Sequence, residues 1–239
     1  MNKIDIVMTT WKREETTEKV IKCLRKNTTT PYRLIVIDNG SKFNFRNWLN
    51  YVADVYVKLD RNYGLEYAKN IGMNFVQSDL FISTDNDILV PKPEGSKDWL
   101  SRLIELMDNH PEFGAIALRP QVLVGTGDIF GKNPPEVLEF SHVPGYMRIM
   151  DSELVRKLGA WKDKRPLRGH EEYWISERII KAGRKVGWAS NIRCYHLFVD
   201  DNWGYGKLTP QQHGHDRKIP LPADDIKTIR KYFYDERTI

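Results

Sequence analysis

Tyr32-Arg33-Leu34-Ile35-Val36-Ile37-Asp38-Asn39-Gly40-Ser41 is the most telling stretch of this chain. Its Ile- and Val-rich run has the length of a buried strand and closes abruptly in four residues with the composition of a turn. Upstream, Val20, Ile21 and Leu24 recur at helical spacing, Asn27 and the threonines before Pro31 end that helix, and residues 4–8 form another β-type run. The order is strand, helix, strand. Downstream, residues 55–59 form a run ending at Asp60. Leu65, Ala68, Gly72 and Phe75 then mark one helical face, and residues 80–83 end in Thr84-Asp85-Asn86-Asp87. Parallel neighbours need crossover connections, so this alternation predicts an α/β, Rossmann-like fold with a mostly parallel central sheet flanked by helices. Ligands bind such sheets beyond the carboxyl ends of the strands. Asp38, Asp60 and Asp85 each stand at such an exit. Carboxylates crowded on one edge repel one another and need a cation or many donors nearby.

The second half continues the pattern less regularly. Beyond Pro91 and Pro93 a helix over 99–107, capped near Asp98, precedes a strand over 115–118. Residues 121–144 are rich in Gly and Pro and read as a long loop. A strand over 146–150, a short helix from Asp151 to Leu158, a helix over 171–182 stopped by Gly183, and β runs at 185–189 and 192–196 follow. Trp99 and Trp174 are expected in the core. No linker divides the chain, so residues 1–199 read as one domain of two halves, 1–90 and 91–199. Residues 200–239 read as a C-terminal tail that packs on this domain or becomes ordered with ligand.

Composition narrows the class. With 29% charged and 41% hydrophobic residues in 239, the chain can bury a sizeable core, and wholesale disorder is excluded. Its two cysteines, Cys23 and Cys194, form no CxxC, which excludes a disulfide framework and a cysteine zinc site and suits a reducing compartment. No apolar run approaches the ~20 residues that span a bilayer, and the first ten residues lack a signal-peptide core. The expectation is a cytoplasmic protein, or one peripheral to the membrane. The net charge of +5 favours anionic small molecules, lipid headgroups or nucleic acid without choosing among them.

Several familiar motifs are missing. The first glycine is Gly40, so the first strand-to-helix turn is neither a dinucleotide loop nor a Walker A loop. Gly125-Thr126-Gly127 and Gly131-Lys132-Asn133 have the wrong spacing for phosphate loops. His170-Glu171-Glu172-Tyr173-Trp174 begins like a zinc-protease HExxH but puts Trp174 where the second histidine belongs. What remains is Asp85-Asn86-Asp87, a DxD at a strand end whose oxygens suit Mg2+ or Mn2+ and, through the ion, a diphosphate. Alone it is a weak signal, because acidic strand ends are commonly just solvated.

The motifs in order are far more specific, and together they resemble family 2 glycosyltransferases of the GT-A fold. Ile6-Val7-Met8-Thr9-Thr10-Trp11-Lys12-Arg13-Glu14 is similar to the opening strand and turn of that family, and Leu34-Ile35-Val36-Ile37-Asp38-Asn39-Gly40-Ser41 to its second strand. Asn62-Tyr63-Gly64 with Ala68-Lys69-Asn70 and Gly72 resembles its N-x-G and A-R-N-x-G stretch. Asp85 and Asp87 match its DxD. Arg148, Gly159, Glu171-Glu172, Arg178 and Ala182-Gly183 fit its downstream pattern. The resemblance covers roughly residues 3–196, and it implies that 1–90 is the nucleotide-binding half and 91–199 the acceptor-side half. Thr9 stands where proline is common, Trp11 where tyrosine is common, and Glu172 where the family generally has aspartate.

The resemblance implies inverting transfer of sugar from a nucleoside diphosphate sugar, UDP foremost, to an acceptor hydroxyl, with Mn2+ or Mg2+ as cofactor. Position by position, it implies that Asp38 accepts a hydrogen bond from the base in a pocket lined by Thr9 and Trp11. Asn62 and Lys69 would help hold the nucleotide half, and Asp85 would meet ribose or metal. Asp87 would bind the metal directly. Glu172 would take the proton of the acceptor, with Glu171 in reserve. His196 would be a third metal ligand, in competition with His213 or His215 of the tail. Trp203 and Tyr205 resemble a mobile aromatic loop. The acceptor, built from residues 121–144, 161–169 and the tail, stays open among glycan, lipid-linked sugar, protein and nucleic acid. A sugar nucleotidyltransferase normally opens with a glycine-rich loop that this chain lacks, and a non-catalytic nucleotide-sugar-binding module would not need the DxD and the acidic pair.

Overall fold

The run over 32–37 forms β2, Tyr32–Asp38, and pairs in parallel with β1, Ile4–Thr10, and β3, Val55–Lys58. The computed structural model describes residues 3–41, 45–121, 130–161 and 171–197, with only the backbone of 45–47. On its other side β1 pairs in parallel with β4, Leu80–Asp85. Thr10 lies opposite Asp38 and Thr9 opposite Asp85, so three exits end level with one another. The crossovers are α1, Glu14–Asn27; α2, Phe45–Val52; and α3, Leu65–Met73. The sequence pattern predicts no helix at α2. The helix is only eight residues long and is held by Trp48, Leu49 and Val52 packing on the sheet, a tertiary gain that a short periodic signal does not reveal.

Past β4 the sheet is mixed, in the order β3-β2-β1-β4-β8-β6-β9-β5, with β7 on β9. Here β5 is Ile88–Leu89, β6 Phe113–Pro120, β7 Val137–Glu139, β8 Arg148–Asp151 and β9 Lys185–His196. Strand β8 runs antiparallel to β4 and β6, whereas β9 runs parallel to β6. The two β runs expected at 185–189 and 192–196 are one strand. A register shift opposite Leu118 and Arg119 loops Ser190, Asn191 and Ile192 out of pairing with β6 and breaks the apolar pattern. The helices of this half are α4, Trp99–Asn109; α5, Ser152–Lys157; and α6, Glu171–Lys181. Asp98 caps α4 as expected, accepting from the backbone N–H of Leu100 and Ser101, and Asp151 caps α5 through Leu154.

Alternation along the strands sends side chains to two cores. Ile6, Met8, Val36 and Ile82 pack with Val20, Leu24 and Trp99 on one face. Val7, Ile35, Ile37 and Phe81 pack with Ala68, Trp161, Ile175 and Ile179 on the other. Ser83 and Asp85 share the face of Phe81, so this second layer turns polar toward the strand exits. Helix α3 comes very close to the sheet there: a Cβ on Gly72 would meet Val7 Cγ1 at 2.4 Å. Trp99 is core as expected, but Trp174 is only half-buried, because it falls beside the buried stripe Glu171, Ile175 and Ile179 of α6. Among the described residues no helix is long and apolar enough to cross a membrane. Residues 125–127 and 162–169, His170, Trp203, Tyr205, His213, His215 and the extension 200–239 lie outside the described residues.

Candidate active site

The polar end of the second core is a charged knot drawn from four elements. Lys69, on α3, has no exposed surface, and its Nζ lies 2.6 Å from Glu171 Oε1 on α6 and 3.5 Å from Asp85 Oδ1 on β4. Arg148, on β8, is also fully buried. Its Nη1 donates to the Val143 carbonyl at 3.0 Å, while Nε and Nη2 find no hydrogen-bond partner. Gly145 closes over the knot, and a Cβ there would stand 2.8 Å from Asp85 Oδ2. Buried charges persist only when compensated, and the two cations decide which carboxylates ionise. Burial opposes ionisation of Glu171, yet Lys69 and Arg148 outweigh it and bring its carboxyl down to about 2. Burial, joined by the adjacent charge of Glu171, holds Glu172 well above the usual range. Asp85 is raised by burial, against the pull of Lys69. Two neighbouring carboxyls pushed apart in this way are suited to different tasks, one a fixed anion and the other a proton carrier.

Asp87 faces another set of partners. Its Oδ2 accepts from Arg13 Nη1 at 2.5 Å, and His196 Nε2 stands 3.4 Å from Oδ1. Burial disfavours the Asp87 anion, but His196 and Arg13 outweigh that and hold its carboxyl far below the usual range. Burial likewise disfavours the charged His196, and Asp87 more than offsets it, with Asp85 adding to the rise. The turn between the two aspartates is fixed by Asn86, whose Nδ2 donates to the hydroxyls of Thr10 (2.9 Å) and Thr17 (2.8 Å). The Leu197 N–H donates to the Asp87 carbonyl at 2.9 Å, which ties the end of β9 to the DxD.

Asp85 Oδ1 and Asp87 Oδ1 are buried and accept no hydrogen bond. Two such oxygens beside an imidazole fit a divalent cation. Among the described residues, no three His, Cys, Asp or Glu side chains are already assembled to hold a metal. An ion such as Mg2+ takes one or two carboxylates from protein and its other oxygens from phosphate and water.

The remaining expected residues build the edge at β1 and β2. Asp38 has no exposed surface; Oδ1 accepts from the Ser41 N–H (2.8 Å) and Oδ2 from the Tyr56 hydroxyl (3.1 Å). Asn62 Oδ1 accepts from Asn39 Nδ2 and from the Gly64 N–H, both at 2.8 Å. Gly40 is at φ +82°, and a Cβ there would overlap the Arg61 backbone. Thr9 is buried with its hydroxyl unpartnered, and Trp11 is half-buried under Lys12 Nζ, 4.5 Å from the ring centroid. Asp60 is exposed and accepts from the Tyr63 hydroxyl.

The structure therefore brings Asp85, Asp87, Glu171, Glu172 and His196 together, and it places Lys69 among these carboxylates as their counter-ion. Sequence reasoning gave Arg13 and Gly145 no role. For Arg13 a signal existed: a cation at the start of a helix opposes the helix dipole and needs a partner elsewhere.

Comparison with known proteins shows the family and the fold. The family model described as Glycosyl transferase family 2 matches residues 5–158. The undecaprenyl-phosphate 4-deoxy-4-formamido-L-arabinose transferase of Serratia proteamaculans is 30% identical over 103 residues, 39% of this chain and 32% of the relative. Its namesake from Yersinia enterocolitica is 32% identical over the same length and shares. The match thus spans about a third of those relatives. Among solved structures, GalNAc-T7 with UDP, GalNAc and Mn2+ superposes with a TM-score of 0.66 at 15% identity, covering 82% of this chain and 44% of that one. The mannosyltransferase PcManGT from Pyrobaculum calidifontis, in complex with GDP-Man and Mn2+, gives 0.66 at 17%, covering 82% and 56%. At these identities the structures establish a shared GT-A architecture.

Proposed function

Because the chain belongs to glycosyl transferase family 2 and has the GT-A fold, we propose that it moves a sugar from a nucleoside diphosphate sugar to an acceptor hydroxyl, with inversion at the anomeric carbon. The observation that carries this reading is the knot at the strand exits, where Lys69 joins Asp85 of β4 to Glu171 of α6 beside a carboxyl, Glu172, that retains its proton affinity.

In this reading the base of the donor, UDP foremost, enters between Thr9 and Trp11. Asp38 and Asn62 hold the shape of the surrounding loops from within. Asp85 meets the ribose or the metal; Asp87, with His196 beside it, holds Mn2+ or Mg2+. A bound cation of this kind would offset the negative charge that builds on the departing diphosphate. Glu172 accepts the proton of the attacking hydroxyl, and its raised proton affinity makes it the better base of the pair. Glu171, ionised and clamped, orients Lys69 and keeps the proton affinity of Glu172 high.

The curated relatives carry names that specify undecaprenyl phosphate, which favours a second reading of the acceptor. A phosphate oxygen is already ionised near neutrality and needs no base. Transfer by Glu172→Gln separates the two. Loss of transfer with donor binding kept supports a hydroxyl acceptor, whereas full transfer to a polyprenyl phosphate removes Glu172 from the chemistry. Thermal shift and turnover across a panel of nucleotide sugars, with and without Mn2+, test the donor side. A panel in which none is bound or turned over would sink the proposal.

A further inference from the structure

Arg13 is not where helix electrostatics would put a cation. It is the N-cap residue of α1, makes no side-chain capping bond, and precedes Glu14 and Glu15, the charges that suit the positive end of a helix. Its guanidinium instead crosses 74 residues of sequence to the buried Asp87. The Arg13 side chain keeps 26% of its surface exposed while that of Asp87 keeps 7%, so the bond joins a solvent-accessible guanidinium to a buried carboxylate. His196 faces the other oxygen of Asp87. One oxygen of the carboxylate placed at the metal is therefore held by a cation of the chain itself, and the other faces an imidazole.

We propose that Arg13 is a plug: in the donor-free protein its guanidinium holds Oδ2 of Asp87 and offsets the negative charge that would draw a divalent ion to Oδ1, and when ion and nucleoside diphosphate arrive together it turns from Asp87 to the diphosphate. The inference rests on the reading of Asp87 as a metal ligand. Free metal must compete with Arg13 for Asp87. A diphosphate offers the guanidinium bidentate oxygen partners in exchange, so the ion enters most readily with its nucleotide. Arg13 thereby makes the site selective for the metal–diphosphate pair over either component. By linkage, Mn2+ and UDP must tighten one another's binding, and Arg13 supplies part of that coupling.

The test measures Mn2+ binding by electron paramagnetic resonance on the whole chain, with and without UDP, in the wild type, Arg13→Gln, Arg13→Met and Asp87→Asn, with circular dichroism to confirm folding. The neutral Arg13 variants should bind Mn2+ alone about tenfold more tightly, and UDP in the presence of Mn2+ about tenfold more weakly, as expected for loss of a partly exposed charge pair. Arg13→Lys, which keeps the charge but not the bidentate geometry, should fall between the wild type and the neutral variants. A purely structural latch predicts the opposite sign for Mn2+, because loosening the loop would weaken both ligands. Unchanged or weaker Mn2+ binding in folded neutral variants, with Asp87→Asn still abolishing it, overturns the plug and leaves the metal assignment standing. If the neutral variants do not fold, Arg13 is a structural latch and the plug is likewise overturned. Mn2+ binding by Asp87→Asn equal to the wild type overturns the metal assignment, and the plug with it.

Discussion

The loops after β1 and β2 and the knot between β4 and α6 are both buried and polar, yet they are built on opposite terms. Around Asp38, Asn39 and Asn62 the side chains close on one another and on nearby backbone. In the knot and beside it, Asp85 Oδ1, Asp87 Oδ1, Glu171 Oε2, two nitrogens of Arg148 and His196 Nδ1 are buried with no hydrogen-bond partner. A folded chain rarely leaves so many buried polar atoms unsatisfied in one place, and where it does a ligand or a reaction is the usual reason. Damage to the hydrogen-bonded network of Asp38, Asn39 and Asn62 in the first region should be read in stability. The second carries unmet electrostatic demand, and damage there should be read in chemistry. Thr9, with its free hydroxyl, marks where the two meet.

This contrast can be broken at several points. Glu172→Gln should lower kcat for a hydroxyl acceptor by about a thousandfold with little change in donor affinity, since it removes a base and preserves shape. Single-turnover transfer together with donor titration checks both halves. Asp87→Ala should lower metal-dependent turnover by about a hundredfold or more, and a steady-state assay showing unchanged rates would remove Asp87 from the site. Lys69→Met removes the centre of the knot. It strands buried anions and should cost about 3–5 kcal/mol in urea unfolding as well as most of the activity. Lys69→Arg, which keeps the charge, should recover part of each. Asp38→Asn should cost only about 1–2 kcal/mol, the scale of a weakened charge-assisted bond, with kcat nearly intact.

The pH dependence sharpens the same comparison, because Glu172 and Glu171 shift in opposite directions. With its folded value raised, Glu172 contributes stability that is present below its ordinary value of 4.5 and lost as pH climbs through the folded one. Transfer should therefore accelerate over the pH range in which the donor-free protein loses stability. With its folded value lowered to about 2, Glu171 stabilises above 4.5 and loses that contribution as pH falls toward 2. Parallel profiles of kcat and Tm against pH would sink the division of roles if both rose together.

Most of the scaffold was legible because its signals are local. The apolar run 32–37 with Asp38-Asn39-Gly40-Ser41, the helical face of Leu65 and Ala68, and the caps at Asp98 and Asp151 all specify their elements within a few residues of sequence. Helix α2, the two-residue strand β5 and the unbroken β9 were not, since each is held by neighbours distant in the chain. Of the site, the residue types were legible and their alliances were not. Lys69 reads from its motif as a nucleotide contact, yet it lies without exposed surface between Asp85 and Glu171, 102 residues away.

Taken alone, the sequence determined the parallel α/β half, the strand-end aspartates and the family resemblance, because periodicity, turn chemistry and motif order are written within short windows. Only the tertiary structure decided that Lys69 clamps Glu171 while burial raises Glu172, and that Arg13 faces Asp87. Those outcomes depend on burial and on charges brought together across 74 and 102 residues of chain, and a carboxyl takes its character from what surrounds it in space.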